Sequence, residues 1–398
     1  MFSALKVRDF RLYWFGMLIS LIGTWIQFVA QAWLVFMLTG SPVFLGLVGF
    51  FGTIPSFMLS LFGGVVADVV QKRKILIITQ ISFMVLALVL AVLTGTKFLN
   101  VWMIMIIALA NGVVMAFDAP ARHAMVWEVV GQEHVFNAVV LNAVSFNAAR
   151  MIGPAIAGIL IAAIGVAGCF YVNAASFLAV IFALLTMKDS DIVKKSDINN
   201  LWNGIMAGLK FLKDNKRIAV LISIVAVPSL FGMGHMVLMP IFAQDILGVG
   251  AKGMGFLMSS IGIGALVGGL ILARLGDYKH KGTLLIAASF VFSISLTVFA
   301  LSKFFILSSV ALIFFGWSMV ACLSTINTII QVSVPDEYRG RVMSVYMLTF
   351  AGFMPFGNFM MGWIAHFIGA PLAVSLGGLI CFAFSLYILL KKRDLIGP

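Results

Sequence analysis

Charged residues are scarce in this sequence. Only 10% of its 398 residues are Asp, Glu, Lys or Arg, whereas a soluble domain has about 25%. Apolar residues make up 62% of the chain and the mean hydropathy is +1.13. A water-soluble particle of this composition would lack polar surface, and an intrinsically disordered chain is excluded by the high apolar content. The sequence therefore predicts an all-α membrane protein whose surroundings are lipid.

Cysteine is also rare, and the common motifs of enzymes and metal sites are missing. The three cysteines, Cys169, Cys322 and Cys381, have no paired spacing, which argues against a disulfide framework and a metal site. The five histidines are dispersed. No H-E-x-x-H, C-x-x-C or nucleotide-binding G-x-x-x-x-G-K-[ST] sequence occurs. We therefore expect no enzymatic activity, no metal and no cofactor, and no direct use of ATP.

Long apolar runs, separated by charges or by Gly and Pro, occur throughout the chain. A membrane-spanning helix needs about 20 apolar residues. We predict twelve transmembrane helices, at residues 10–38, 43–67, 75–95, 99–118, 137–163, 168–187, 217–244, 251–273, 283–301, 305–329, 342–367 and 372–390.

The net charge of +12 arises from basic residues that lie on one side of the predicted spans. All but four of the 26 basic residues fall in segments that are cytoplasmic if the chain starts inside, the exceptions being Lys97, Lys252, Lys303 and Arg150. This asymmetry follows the positive-inside rule and predicts that both termini are cytoplasmic. We expect a multi-pass protein of the plasma (inner) membrane, and the charge needs no nucleic-acid partner.

The longest polar stretch, residues 188–216, separates an N-terminal part, 1–187, from a C-terminal part, 217–398. An acid followed by a basic cluster occurs once in each part, at Asp68 and at Asp277. This weak repeat predicts two six-helix bundles joined by a cytoplasmic linker. Apolar residues at helical spacing in the linker predict a helix in the bilayer interface, with a solvated connector as the alternative. These residues are Leu201, Trp202, Ile205, Leu209 and Leu212.

Asp68 is the first candidate for a mechanistic role, because an acid at the membrane edge is costly without a partner. Candidate partners are Arg339 and Arg341 of the other half, a helix N-terminus or local bases. Such a contact would latch the halves on the cytoplasmic side, and the alternative is an ordinary solvated acid. Gly63 and Gly64 precede it and are expected to let two helices approach closely.

Arg150 lies inside the fifth predicted span, where a charge costs at least about 2.5–3.5 kcal/mol. No acid at mid-depth of a predicted span is available to neutralise it. We expect it to face a bundle interior, either as the counter-charge for an anionic substrate or coupling site, or in an ion pair.

Further polar residues within spans are expected to line a substrate cavity with Arg150, although hydrogen bonding between helices is the alternative for each amide. The set is Gln27, Gln31, Asn111, Asn142, Asn147, Arg150, His235, Asn327, Gln331 and Asn358. Histidine has an ordinary pKa near neutrality, so His235 is a candidate proton carrier, and Asp118 is another. A plain hydrogen-bonding role is the alternative for His235.

The loop after the second span resembles a motif of the major facilitator superfamily, G-x-x-x-D-(R/K)-x-G-(R/K)-(R/K). Gly64, Asp68, Lys72 and Arg73 match it, whereas Val69 and Gln71 depart from it. The resemblance implies two pseudo-symmetric six-helix bundles with spans one, four, seven and ten around the cavity. It also implies a cytoplasmic gate in which Arg73 pairs with Asp118 and Asp68 faces the start of span eleven. The gate residues are Gly64, Asp68, Arg73, Asp118, Arg122, Asp277, Arg339 and Arg341.

Other segments are similar to the branch of this superfamily that contains enterobactin and macrolide exporters. They are Phe10–Trp14, Leu38–Pro42, Asp118–Arg122, Asn147–Pro154 and Pro335–Val342. Gly153, Pro154 and Gly158 also resemble the fifth-span motif of drug antiporters. These residues predict a bend or a close-packing surface in the fifth span, which in export relatives is thought to restrict leakage through the protein. The alternative role for these residues is the simple packing of a kinked helix.

The resemblance implies a secondary active transporter that works by alternating access. We expect a monomeric, proton-coupled exporter of amphipathic organic molecules such as drugs, antibiotics or siderophores. The alternative is a transporter or flippase of lysophospholipids or other lipids. The sequence lacks the clustered nucleophile, base or metal ligands that a membrane enzyme would need. A sensor built on a transporter fold is a further functional class to consider.

Overall fold

The structure is a computed structural model that describes residues 3–187, 206, 208–276 and 280–392. Within these ranges the chain is helical and contains no β-strand. In the described part of the chain, ten helices are long and apolar enough to cross a membrane. They are α1 (Arg8–Thr39), α2 (Pro42–Val69), α3 (Lys72–Gly95), α4 (Val101–Thr186), α5 (Lys216–Ile246), α6 (Gly250–Leu275), α7 (Lys281–Leu301), α8 (Phe305–Ser333), α9 (Asp336–Ile368) and α10 (Ala370–Lys391).

The long run α4 is interrupted at two glycines. Gly131 has φ 65° and ψ 178°, and Gly165 has φ 74° and ψ 176°. Side chains other than glycine rarely adopt this backbone conformation. The breaks divide the run into α4a (101–130), α4b (132–164) and α4c (166–186), and each part reaches the length that a span needs. The total of twelve spans stays a prediction.

Helix ends follow local sequence signals. Gly40 ends α1 in the left-handed conformation, with φ 57°, and its N–H donates to the Phe36 carbonyl at 2.8 Å, as expected of a helix C-terminus. Pro42 then opens α2, where its fixed φ suits the first helical turn. The side chain of Asn100 accepts a hydrogen bond from the Met103 N–H at 3.0 Å and caps α4.

Helix α5 is irregular, whereas the sequence predicted a plain span at 217–244. It is α-helical over Lys216–Phe231, a 3-10 helix over Met233–Leu238 and a π-helix over Phe242–Ile246. Pro228 and Gly232 lie just before the change, and proline removes a helix hydrogen bond. Because the pitch changes here, helical periodicity in the sequence does not predict which side chains share a face.

The described chain forms two compact units. Unit 1 comprises Met1–Gly40, Phe51–Ile198 and Ala251–Gly255, and unit 2 comprises Ser41–Phe50, Asn199–Gly250 and Phe256–Pro398. The predicted bundle boundaries, 1–187 and 217–398 with a linker at 188–216, stay a prediction.

Each unit has its own apolar core. The core of unit 1 includes Phe10, Tyr13, Leu76, Met125 and Leu184. The core of unit 2 includes Ile218, Leu221, Leu285, Ile330 and Val342.

Part of the predicted interfacial helix falls outside the described residues, namely Leu201, Trp202 and Ile205. The described end of that segment, 208–214, is helical and belongs to unit 2. Leu212 packs against the core of unit 2, and a Cβ at Gly208 would lie 2.8 Å from the Arg341 carbonyl oxygen. This end of the segment is therefore held by protein contacts as well as by any contact with lipid.

Candidate functional site

Arg150 lies on α4b and is held by a neutral neighbour. Its Nη2 donates to the Asn147 Oδ1 at 2.8 Å, and its guanidinium lies 5.9 Å from the centre of the Phe146 ring. Its Nε is buried without a hydrogen-bond partner. Arg150 forms no ion pair among the described residues. The alternative of an ion pair for Arg150 therefore has no support in the described part of the chain.

A row of aromatic rings lies next to Arg150 in unit 1. The Phe146 ring lies 6.2 Å from Trp25 of α1, and Trp25 lies 5.6 Å from Phe28. Phe146 is 47% exposed and Phe28 is 41% exposed. Gly153 makes this contact between α1 and α4b possible, since a Cβ there would lie 2.5 Å from the Trp25 Cβ. Unit 1 thus presents a cation and two exposed rings side by side.

The residues predicted to line a cavity fall into two groups. One group is at least partly accessible and consists of Gln31, Asn111, Asn142, Asn147, Arg150, Asn327 and Gln331. The other group is buried and consists of Gln27, His235 and Asn358. The side chains of this second group are enclosed in the structure, and a cavity-lining role for them stays a prediction.

The buried amides serve helix packing. The Asn173 Nδ2 donates to the Gln27 Oε1 at 2.7 Å, which joins α4c to α1. Asn358 lies against the α2 residues of unit 2, where a Cβ at Gly49 would be 3.1 Å from its Nδ2. Asn327 and Gln331 of α8 hydrogen-bond to each other on one face. The alternative of hydrogen bonding between helices therefore applies to Gln27.

His235 is sealed inside unit 2. It has no exposed surface, and its Nδ1 bonds to the Gly232 carbonyl at 2.8 Å. Its ring packs edge-on against Phe315 at 4.6 Å and Phe299 at 6.2 Å, and its Nε2 has no partner. The structure provides no described acceptor to which this nitrogen could pass a proton.

Asp118 lies at the centre of a buried polar cluster in unit 1. It is fully buried and forms an ion pair with Arg122, four residues later on α4a. It also accepts hydrogen bonds from the Thr79 Oγ1 at 2.8 Å and from the Gln80 Nε2 at 2.7 Å. Ser20 Oγ of α1 donates to the Gln80 Oε1 at 3.4 Å. The cluster therefore links α1, α3 and α4a through one carboxylate.

Arg73, the partner that the resemblance implies for Asp118, contacts main-chain oxygens. Its Nε donates to the Leu184 carbonyl at 2.6 Å and its Nη2 to the Leu185 carbonyl at 3.0 Å. These carbonyls lie in the last turn of α4c, where a cation is favourable. The pairing of Arg73 with Asp118 stays a prediction.

The other gate residues are placed as follows. Asp68 is half-buried at the end of α2 and forms no ion pair among the described residues. Arg339 pairs with Asp336 on its own helix at 2.5 Å, and Arg341 lies 5.5 Å from the centre of the Tyr338 ring. Asp277 lies outside the described residues. The latch between Asp68 and the start of span eleven stays a prediction.

The sequence predicts that Gly63 and Gly64 let two helices approach closely, and the structure shows the surroundings of both residues. At Gly63 a Cβ would collide with the Ala116 carbonyl oxygen, so α2 and α4a approach closely there. At Gly64 a Cβ would meet open space, and the expectation of close packing is wrong for this residue. The two glycines are adjacent and therefore point about 100° apart around the helix, so only one of them can face α4a.

The fifth-span motif packs α4b against the start of α6 within unit 1. A Cβ at Gly158 would lie 2.8 Å from the Ala251 carbonyl oxygen, and a Cβ at Gly255 would collide with the Pro154 carbonyl oxygen. Glycines on both helices therefore allow backbone to meet backbone.

A buried ion pair between α3 and α4a was not predicted from the sequence. The Lys72 Nζ lies 2.8 Å from the Glu128 Oε1, and both side chains are almost fully buried. The available signal was Glu128 itself, an isolated acid in an apolar run that required a partner.

Comparison with known proteins places the chain in a family. The model of the family described as "Transmembrane secretion effector" matches residues 1–394. The chain is 25% identical over 382 residues to the staphyloferrin A transporter of Staphylococcus aureus (strain NCTC 8325 / PS 47), with 94% of each chain covered. It is 26% identical over 381 residues to macrolide efflux protein A of Streptococcus pyogenes, with 93% of each covered.

A solved structure shares the fold. The crystal structure of a D-xylose–proton symporter matches with a TM-score of 0.76 at 13% identity, with 99% of each chain covered. The protein is thus a multi-pass membrane transporter and not an enzyme. The chain belongs to the transmembrane secretion effector family of major facilitator superfamily transporters.

Proposed function

We propose that this protein is a secondary active exporter of amphipathic organic molecules. It lies in the plasma membrane with both termini in the cytoplasm, acts as a monomer and works by alternating access between two bundles. The named functions of the relatives support this proposal, since they concern a siderophore and a macrolide. The asymmetry of basic residues supports the orientation.

The observation that carries the proposal is the uncompensated charge of Arg150. A cation in a membrane-spanning helix costs about 2.5–3.5 kcal/mol. In unit 1 this cost is offset by one neutral hydrogen bond and by contact with the Phe146 ring. A protein that only needed to fold would have an apolar residue at this position, so we assign Arg150 to substrate binding.

The proposal is tested by efflux from cells that carry wild-type protein, measured for anionic, neutral and cationic substrates. Arg150→Ala should abolish export of the anionic substrates and leave that of the others within about twofold. Lys303→Ala is the control, because Lys303 is an exposed basic residue between α7 and α8. Unchanged export of every substrate by Arg150→Ala would refute the binding role. A lysophospholipid is included among the substrates, because its transport would favour the alternative of a lipid transporter over an exporter of drugs, antibiotics or siderophores.

Proton coupling is part of the proposal, and Asp118 is its candidate carrier. Protonation would remove the charge that holds Arg122 and would weaken the hydrogen bonds from Thr79 and Gln80. A local proton exchange would thereby loosen the contact between α3 and α4a. Efflux that persists after the pH gradient is dissipated would exclude coupling to protons.

A further inference from the structure

The amide of Asn147 has a fixed orientation. Its Nδ2 donates to the Ala143 carbonyl at 2.8 Å, one helical turn earlier. Its Oδ1 therefore faces the other way and accepts the hydrogen bond from the Arg150 Nη2. The reverse orientation would place two donors against each other. Asn147 thus holds the guanidinium in place without reducing its charge.

A carboxylate would fit in the same position. Aspartate has the shape of asparagine, so one carboxylate oxygen can take the place of Oδ1 at 2.8 Å from the Arg150 Nη2. The other oxygen cannot donate to the Ala143 carbonyl, as the Asn147 Nδ2 does, and would have to rotate away from it. The 2.8 Å separation from Nη2 is typical of a charge-assisted pair between arginine and a carboxylate. The residue at 147 therefore decides whether the cation of unit 1 is neutralised by the protein or stays available to a ligand.

The surroundings of Arg150 define the ligand further. The guanidinium and the exposed rings of Phe146 and Phe28 lie along one continuous surface, with Trp25 between the two rings. Flat apolar groups stack on such rings, and a carboxylate pairs with the guanidinium. An aromatic organic anion would satisfy both parts of the surface at once.

We propose that Asn147 is a positioning residue that sets the charge selectivity of this site, and that the site takes aromatic organic anions. The proposal rests on the exporter function and names the substrate class of its site. Asn147 supports Arg150 with a neutral acceptor, and the ligand supplies the negative charge.

The test compares two probes of nearly equal shape, 1-naphthoate and 1-naphthamide, which differ in charge. Binding to the purified protein in detergent is measured by tryptophan fluorescence. Wild-type protein should bind the naphthoate at least roughly tenfold more tightly, as expected of a hydrogen bond to a charged group. Asn147→Asp should reduce this preference to within about twofold by weakening the binding of naphthoate alone.

Two variants separate a positioning role from a merely structural one. Asn147→Ala removes the support but keeps the positive charge, so it should lower the preference in part, to a value between those of the wild type and Asn147→Asp. If Asn147 only stabilised the helix, the Ala and Asp variants would behave alike. Asn137→Asp is the matched control on α4b, because a carboxylate there can still accept the hydrogen bond from the Ala4 N–H. This control should leave the preference unchanged.

Efflux of naphthoate, measured in parallel, distinguishes the two proposals. A charge preference that disappears in Asn147→Asp, without any naphthoate efflux by the wild type, would support the selectivity and contradict the exporter function. Equal binding of both probes by the wild type, binding of neither, or an unaltered preference in Asn147→Asp would overturn the role of Asn147.

Discussion

Replacement of Asp118 by asparagine should destabilise unit 1 strongly. The carboxylate is fully buried and serves three partners, namely Arg122, Thr79 and Gln80. An asparagine has one acceptor oxygen for these three donors, and its NH2 group would face another donor. The change also leaves the Arg122 cation, whose side chain is 23% exposed, without its counter-charge.

The expected cost is about 3–5 kcal/mol, as for other buried ion pairs that lose one partner. The double variant Asp118→Asn/Arg122→Gln should recover roughly half of this loss, because a glutamine can donate to the new amide without carrying a charge. The two single changes should therefore be strongly non-additive.

The native cysteines provide the assay. Cys169 is buried in unit 1, whereas Cys322 and Cys381 lie in unit 2. Alkylation rates of the native protein, read for each cysteine by peptide mass spectrometry, report the opening of each unit. Asp118→Asn should accelerate labelling of Cys169 about a hundredfold or more and leave Cys381 within a few-fold. An unchanged rate at Cys169, or simple additivity in the double variant, would refute the reasoning.

Three other predictions concern helix packing and the gate. Gly255→Leu should destabilise unit 1 by about 1–3 kcal/mol through its clash with backbone, whereas Gly269→Leu, which meets open space, should not lower the melting temperature in detergent. A double-mutant cycle with Gln27→Ala and Asn173→Ala, followed by thermal unfolding in detergent, should give a coupling free energy of about 0.5–1.5 kcal/mol. Additive effects of the two changes would show that the 2.7 Å hydrogen bond does not contribute to stability. Asp68→Asn should abolish transport while the protein still reaches the membrane, and normal turnover in an efflux assay would contradict the latch.

The helices were predictable because a chain with so little charge has few places where it can leave the bilayer. The positions of Lys72, Lys97 and Lys281 mark such places and coincide with helix starts or with the turns between helices. The breaks at Gly131 and Gly165 were not singled out in the sequence, although they separate predicted spans. A glycine alone does not reveal a positive φ, because glycine also occurs within helices.

The orientation of polar side chains was harder to predict. In a soluble helix the apolar face identifies the interior, but in this protein the face toward lipid is apolar as well. Gln27 and Gln31 are four residues apart on α1 and are therefore neighbours on the helix surface, yet Gln27 is buried against Asn173 and Gln31 is partly accessible. The complete burial of His235 was hard to predict for a different reason, because α5 loses its regular pitch just before it.

The partner of Asp118 illustrates the difference between resemblance and local geometry. The resemblance implied Arg73, which is distant in sequence, whereas the structure pairs Asp118 with Arg122 on the same helix. Residues four apart on a helix are neighbours, so this pair was open to prediction from spacing alone. Burial of the pair, by contrast, depends on contacts with α1 and α3. Contacts between helices that are far apart in sequence cannot be predicted from residue spacing within one helix.

The single-residue breaks in α4 have a consequence for how the chain can be cut. A protease must bind an extended stretch of several residues, and such stretches are found in exposed loop tips. Gly131 and Gly165 turn the backbone within one residue each, and helix continues on both sides. The 86 residues from Val101 to Thr186 therefore expose no strand-like substrate to an enzyme in the surrounding water.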